Sequence, residues 1–164
     1  MNEDDDFIGR LGILALGSRL RRLNERLNRD VARIYNELEI EFDPHWFPVL
    51  YFLKTKPPTP VMEIAAALNY THPNIIHIAR LMSKRGLVTS KKDKSDERKR
   101  LLALTPKGKN LARKLEPVWN RIAKTAAAFL DEADYNLLDL IDEIDSLLDK
   151  EEFYDRYKKA SARH

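Results

Sequence analysis

Seven of the eight prolines fall between residues 44 and 106, at positions 44, 48, 57, 58, 60, 73 and 106. Proline fixes φ and lacks an N–H, so a helix tolerates it only in the first turn. This stretch therefore cannot hold one long helix and reads as short helices, repeatedly stopped and restarted. Asp43-Pro44 is a start, with Asp as cap and Pro at the first helical position. The helix it opens runs from His45 to about Lys54, and Pro48 stays near its first turn. The run KPPTP ends it, and Thr59-Pro60 restarts the chain. VMEIAAALN is then a short helix with Ile64, Ala65 and Leu68 inward, broken at Asn69-Tyr70. Thr71 caps the next helix, with Pro73 in its first turn. Ile75, Ile78, Ala79 and Met82 recur there at i, i+3, i+4 and i+7, the spacing of one buried face. Gly86 is a natural stop.

Leu87-Val88-Thr89 and Leu101 to Leu104 have strand composition, and the charged run between them, KKDKSDERKR, reads as an exposed turn. The two apolar segments pair as a β-hairpin. Thr105-Pro106 opens a long helix with Leu111, Leu115, Val118, Trp119, Ile122, Ala126 and Phe129 among its apolar positions; Pro117 is expected to bend or interrupt it. On the N-terminal side, most of the first forty positions read as one long helix despite Gly9, Gly12 and Gly17. Its apolar stripe runs through Leu16, Leu20, Leu23, Leu27, Val31, Ile34 and Leu38. Leu137, Ile141, Ile144 and Leu148 mark a last helix with Phe153, Tyr154 and Tyr157 near its end. The expected fold is mainly α with a small β-hairpin.

The 164 residues contain no cysteine, which excludes disulfides and thiolate chemistry. No apolar run of 18 residues exists, and the acidic start MNEDDDFIGRLG is unlike a secretory signal, so a cytoplasmic protein is expected. No Gly-rich phosphate loop, G-x-S-x-G or H-E-x-x-H appears, which argues against an enzyme, and no cofactor is implied. His72 and His77 are five apart, about 140° around a helix, and so do not share a metal-binding face. No metal site is expected. Asp142, Glu143 and Asp145 read as a solvated acidic face. Charge is sharply uneven: from Lys84 to Arg113 there are eleven Lys/Arg against three Asp/Glu, leaving +8, and from Asp131 to Asp155 eleven Asp/Glu against one Lys, leaving −10. The first segment attracts a polyanion and the second repels one.

Two short helices joined by a few residues, followed by a hairpin with a basic turn, outline a winged helix-turn-helix. In such a unit the second helix presents its N-terminal residues to base edges in the major groove. Those residues are Thr71, His72, Pro73, Asn74 and His77. Asn pairs bidentately with adenine, and a guanidinium such as that of Arg98 suits a narrow minor groove.

The wing reads Asp93-Lys94-Ser95-Asp96-Glu97-Arg98, followed by Leu104-Thr105-Pro106-Lys107-Gly108. These resemble the D-x-x-D-x-R wing and the L-T-x-x-G helix entry of the MarR family of bacterial transcription regulators, and Met82 to Val88 is similar to the family's end of recognition helix. The resemblance implies a sequence-specific regulator that binds double-stranded DNA. It gives Arg98 the minor groove and makes Asp96 the support of the wing or of that arginine; Lys94 and Lys99 of the basic turn are expected DNA contacts as well. The family often has a small polar residue and then Arg where this chain has Ile76 and His77. Ile76 cannot hydrogen-bond to a base; contact with a thymine methyl and burial both stay open.

The resemblance also implies a homodimer on a palindromic operator. The domains expected are a dimerisation helix over 1–42, the winged helix-turn-helix over 43–108 and C-terminal dimerisation helices over 109–164. Leu11, Leu14, Leu20, Val118, Ile122, Leu137, Ile141, Ile144 and Leu148 would supply the dimer contacts. A small-molecule effector between the dimer helices and the winged domain is a further implication, with Arg19, His45, Trp46 and Tyr51 as candidate lining; from the residues alone, Trp46, Phe47 and Leu50 read as ordinary core. The competing class is a winged-helix protein-interaction module that binds no DNA.

Overall fold

A computed structural model describes residues 6–92 and 100–162. The chain divides into two compact units, Met1–Glu116 and Pro117–His164.

The first unit opens with a short helix, α1 (Phe7–Arg10), a 3-10 turn (Gly12–Ala15) and α2 (Leu16–Glu37). The single long helix expected here is broken, because Gly12 sits at φ +56°, outside helical geometry. Asp6 caps α1 by accepting from the Gly9 N–H, and its carboxylate takes a paired contact from the Arg22 guanidinium at 2.7 and 2.9 Å. The arginine and the Gly9 N–H hold the Asp6 carboxyl down at about 2. The leucine stripe of α2 is largely uncovered within the chain: Leu16, Leu20, Leu23 and Leu27 are all exposed. Only Tyr35, near the end of α2, is buried, edge-on to Phe42, which in turn meets Trp46.

Asp43 then caps a 3-10 turn (Pro44–Trp46) that runs into α3 (Phe47–Thr55). α4 (Val61–Ala67) and α5 (His72–Lys84) follow, joined by residues 68–71. Their apolar positions face one core. Val49, Leu50, Leu53, Ile64, Ala65, Ile75, Ile78, Ala79 and Met82 are buried. Phe47, expected among the core residues, is exposed. α5 ends where Gly86 takes φ +69°, which a residue with a Cβ adopts only at a cost.

Strands β2 (Val88–Lys92) and β3 (Arg100–Leu104) form the expected antiparallel hairpin, with Val88 opposite Leu104 and Lys92 opposite Arg100. The sheet has a third strand that sequence patterning missed. β1 (Thr59–Pro60) pairs with the other edge of β3, giving the order β1-β3-β2. A two-residue strand ending in proline carries no alternation to read, and proline is tolerated there because the strand is an edge.

α6 (Pro106–Leu130) begins against the end of α5. The Thr105 hydroxyl accepts from the Gly108 N–H at 3.0 Å and donates to the Gly86 carbonyl at 2.6 Å, while Lys107 donates to the Arg85 carbonyl at 2.8 Å. Together these make a clasp between the start of α6 and the end of α5. Ala112 and Leu115 of α6 are fully buried. The helix continues through Pro117 without interruption.

The second unit holds the rest of α6, then α7 (Leu137–Lys150) and α8 (Phe153–Ser161). What read as one last helix is two, because Glu151 is extended at φ −158°. Arg156 satisfies the carbonyls at this break, donating to Leu147 at 2.7 Å and to Glu151 at 3.1 Å. α7 is strongly amphipathic, yet it buries no residue within the chain, and Ile144 at its centre is 45% exposed.

Candidate nucleic-acid interface

α5 is set by its buried row, Ile75, Ile78, Ala79 and Met82, which turns the opposite arc outward. On that arc lie Pro73, His77, Arg80 and Lys84, all exposed, with His72 and Ile76 on one flank and Asn74 on the other. Thr71 occupies the cap position, but its side chain makes no capping bond, contrary to the cap expected of it. The helix therefore makes no use of the hydroxyl.

The hairpin adds cations beside α5. Lys91, Lys92 and Arg100 are exposed on β2 and β3. The Arg100 guanidinium is held by Ser90 across the strands, its Nε donating to Oγ at 3.0 Å. Lys94, Asp96, Arg98 and Lys99 lie outside the described residues. Arg80, Lys84 and Arg100 were not among the expected site residues. The signal for the first two was present in the sequence, since they stand at i+3 and i+7 from His77, opposite the apolar stripe.

The other flank of α5 borders a recess of about 450 Å³, lined by Asn28 of α2, His45 and Trp46 of the 3-10 turn, and Tyr70, Asn74 and His77. His45 Nδ1 lies 2.8 Å from the Asp43 carboxylate, and its Nε2 lies 3.5 Å from the Asn28 amide. Of the four effector-pocket candidates, the recess unites His45 and Trp46. Arg19 lines a different hollow, with Leu16 and Leu23 on α2. Tyr51 leans on Phe47, with the Lys54 ammonium over its ring at 5.6 Å.

The proposed dimer residues separate by position. Leu11, Leu14 and Leu20 are exposed in the first unit, Leu14 at 89%. In the second unit Ile141, Ile144 and Leu148 are exposed, and Val118, Ile122 and Leu137 half-buried. Among the described residues, no group of three or more His, Asp or Glu side chains has metal-binding geometry, and no helix is long and apolar enough to cross a membrane.

An outward helix with a cationic arc, a three-stranded sheet and a basic hairpin beside it define a winged helix-turn-helix protein. Residues 41–99 match the model of the MarR family. Comparison with curated proteins gives no match. Among solved structures, the transcriptional repressor CouR bound to a 23-mer DNA duplex is 29% identical, with 85% of this chain and 95% of that one covered at a TM-score of 0.59. MepR of S. aureus, in a DNA complex, is 15% identical over 82% of this chain and 96% of its own, TM-score 0.66. PcaV of Streptomyces coelicolor, in complex with its natural ligand, is 22% identical over 84% and 92%, TM-score 0.64. At those identities the last two show likeness of fold.

Proposed function

We propose that this protein is a sequence-specific, double-stranded DNA-binding transcription regulator. The observation that carries the reading is the outward arc of α5, where Arg80 and Lys84 continue the row begun by Pro73 and His77, flanked by Lys91, Lys92 and Arg100. A major groove accepts one such helix, and phosphates accept the surrounding cations. The likeness to CouR, a repressor bound to DNA, supports it. Thr71, His72, Pro73, Asn74 and His77 face the bases, Lys94 and Lys99 meet phosphates, and Arg98, supported by Asp96, enters the minor groove.

The regulator acts as a homodimer on a palindrome. One winged helix covers few base pairs, and a two-fold pair sets two recognition helices about 34–36 Å apart. Residues 1–42 and 109–164 supply the dimer helices, and the uncovered apolar faces of α2 and α7 are the support for this. DNA as the partner places the protein in the cytoplasm, in a binding rather than an enzymatic role. The recess at His45 and Trp46 is the place for a small-molecule effector, PcaV being a relative in fold that holds its ligand.

The test is selection of bound fragments from a genomic pool at two salt concentrations. Enrichment of a palindrome, with affinity falling log-linearly in salt at a slope near −0.9 per phosphate neutralised, is expected. Absence of salt-sensitive binding refutes the reading.

A further inference from the structure

Ile76 is out of place on the face where it stands. The core-facing row of α5 is complete without it, since Ile75, Ile78, Ala79 and Met82 are all buried. Ile76 is 47% exposed, between His72 one turn before and Arg80 one turn after. Residues at i, i+4 and i+8 stand in one row on a helix, so the row runs imidazole, aliphatic, guanidinium.

A second apolar side chain stands beside it. Met62, in the first turn of α4, is 64% exposed. Met62 and Ile76 line one open groove of about 700 Å³, between α4, α5 and the β2–β3 hairpin. Ala79 and Leu102 contribute to its wall, and Arg80 and Arg100 are among its lining residues. The groove is mostly apolar, and its two guanidiniums, Arg80 and Arg100, outnumber its one carboxylate, Glu63, a balance suited to an anionic partner that carries an apolar group.

DNA is such a partner. An aliphatic side chain neither donates nor accepts, so it reads nothing from the hydrogen-bonding pattern of a base edge. The one apolar group in the major groove is the C5 methyl of thymine. The guanidiniums of Arg80 and Arg100 complement the phosphates on either side. We infer that Ile76 is a specificity-determining residue that reads the C5 methyl of a thymine at one position in each half-site, with Met62 forming the other wall of the notch. The inference rests on the DNA-binding reading and sharpens it: the operator carries a required thymine where Ile76 falls.

The test uses the full chain and the palindrome enriched in the selection. Each thymine is replaced in turn by deoxyuridine, which removes the methyl and leaves base pairing unchanged. One position per half-site is expected to lose about four-fold in affinity, the worth of one buried methyl group. With Ile76→Ala that loss disappears at the same position, whereas Ile76→Val retains most of it. Far-UV circular dichroism and a melting curve accompany both variants, and native folding is expected because the side chain is half in solvent. Wild-type protein that binds the palindrome with no deoxyuridine effect anywhere overturns the inference and leaves the DNA-binding reading standing. A deoxyuridine effect unchanged in Ile76→Ala assigns the methyl to another residue and also overturns it. No binding of any fragment removes both.

Discussion

Replacing Gly108 with alanine should damage the junction on which the recognition helix depends. An ideal Cβ at this position would lie 2.1 Å from the Leu87 carbonyl oxygen and 3.0 Å from its carbon. A relaxed carbon–oxygen contact is about 3.3 Å or more, so the two backbones must part by about 1 Å. The neighbour is backbone, with no flexible end to swing aside. The same separation stretches the Thr105 N–H bond to Leu87, now 3.0 Å, and the Thr105 hydroxyl bond to Gly86, now 2.6 Å. Overpacking costs roughly 1–3 kcal/mol, and each weakened hydrogen bond adds about 1 kcal/mol. Alanine returns about 1 kcal/mol of helix propensity. The net loss is about 3 kcal/mol, a fall in Tm of roughly 6–12 °C for a chain of this size. Urea denaturation followed by far-UV circular dichroism measures it. Gly17→Ala is the control, since nothing stands within 4 Å of a Cβ there, and it should be neutral or slightly stabilising. If Gly108→Ala unfolds at the wild-type midpoint, the clasp between α5 and α6 does not hold as described.

Arg98→Ala is expected to weaken binding to the selected duplex by roughly 1–3 kcal/mol in a titration, with the dimer unchanged; unaltered affinity removes Arg98 from the interface. Ile144→Glu puts a charge at the centre of the uncovered α7 face, 45% exposed in the chain, so it should shift sedimentation toward monomer while helicity is kept. A stable dimer would show that this face is not the contact. Asp6, with its carboxyl held at about 2 by Arg22, stabilises the N-terminal turn above the ordinary carboxylate range. Because the folded value is depressed, that contribution is lost as pH falls from about 4 to about 2. Carboxyl NMR of Arg22→Gln should show Asp6 titrating nearer the ordinary value; an unmoved midpoint removes the pairing as its cause.

The order of short helices and hairpin was legible because its signals are local. Pro48, Pro73 and Pro106 in the first turns of α3, α5 and α6, Gly86 at a helix end and the i, i+3, i+4, i+7 row of α5 each act within a few residues and stand as expected, whereas Thr59-Pro60, expected to restart a helix, forms β1 instead. β1 was not legible, because Thr59-Pro60 becomes a strand only through pairing with Leu101 and Leu102, some forty residues later. The long N-terminal helix was over-read: leucine spacing outweighed Gly12, whose positive φ is a matter of how the chain turns there. The placement of Thr71 to His77 at the start of α5 was readable from helix order, whereas Arg100 comes beside α5 only when the hairpin closes.

Local chemistry in the chain thus dictated the short helices of the central stretch, which face of α5 is apolar and where positive charge gathers, but not the breaks at Gly12 and Glu151. Folding settled the status of Ile76 and the leucines of α2 and α7. A hydrophobic residue buries itself only if its face meets another element. That depends on contacts distant in sequence, which no local pattern encodes.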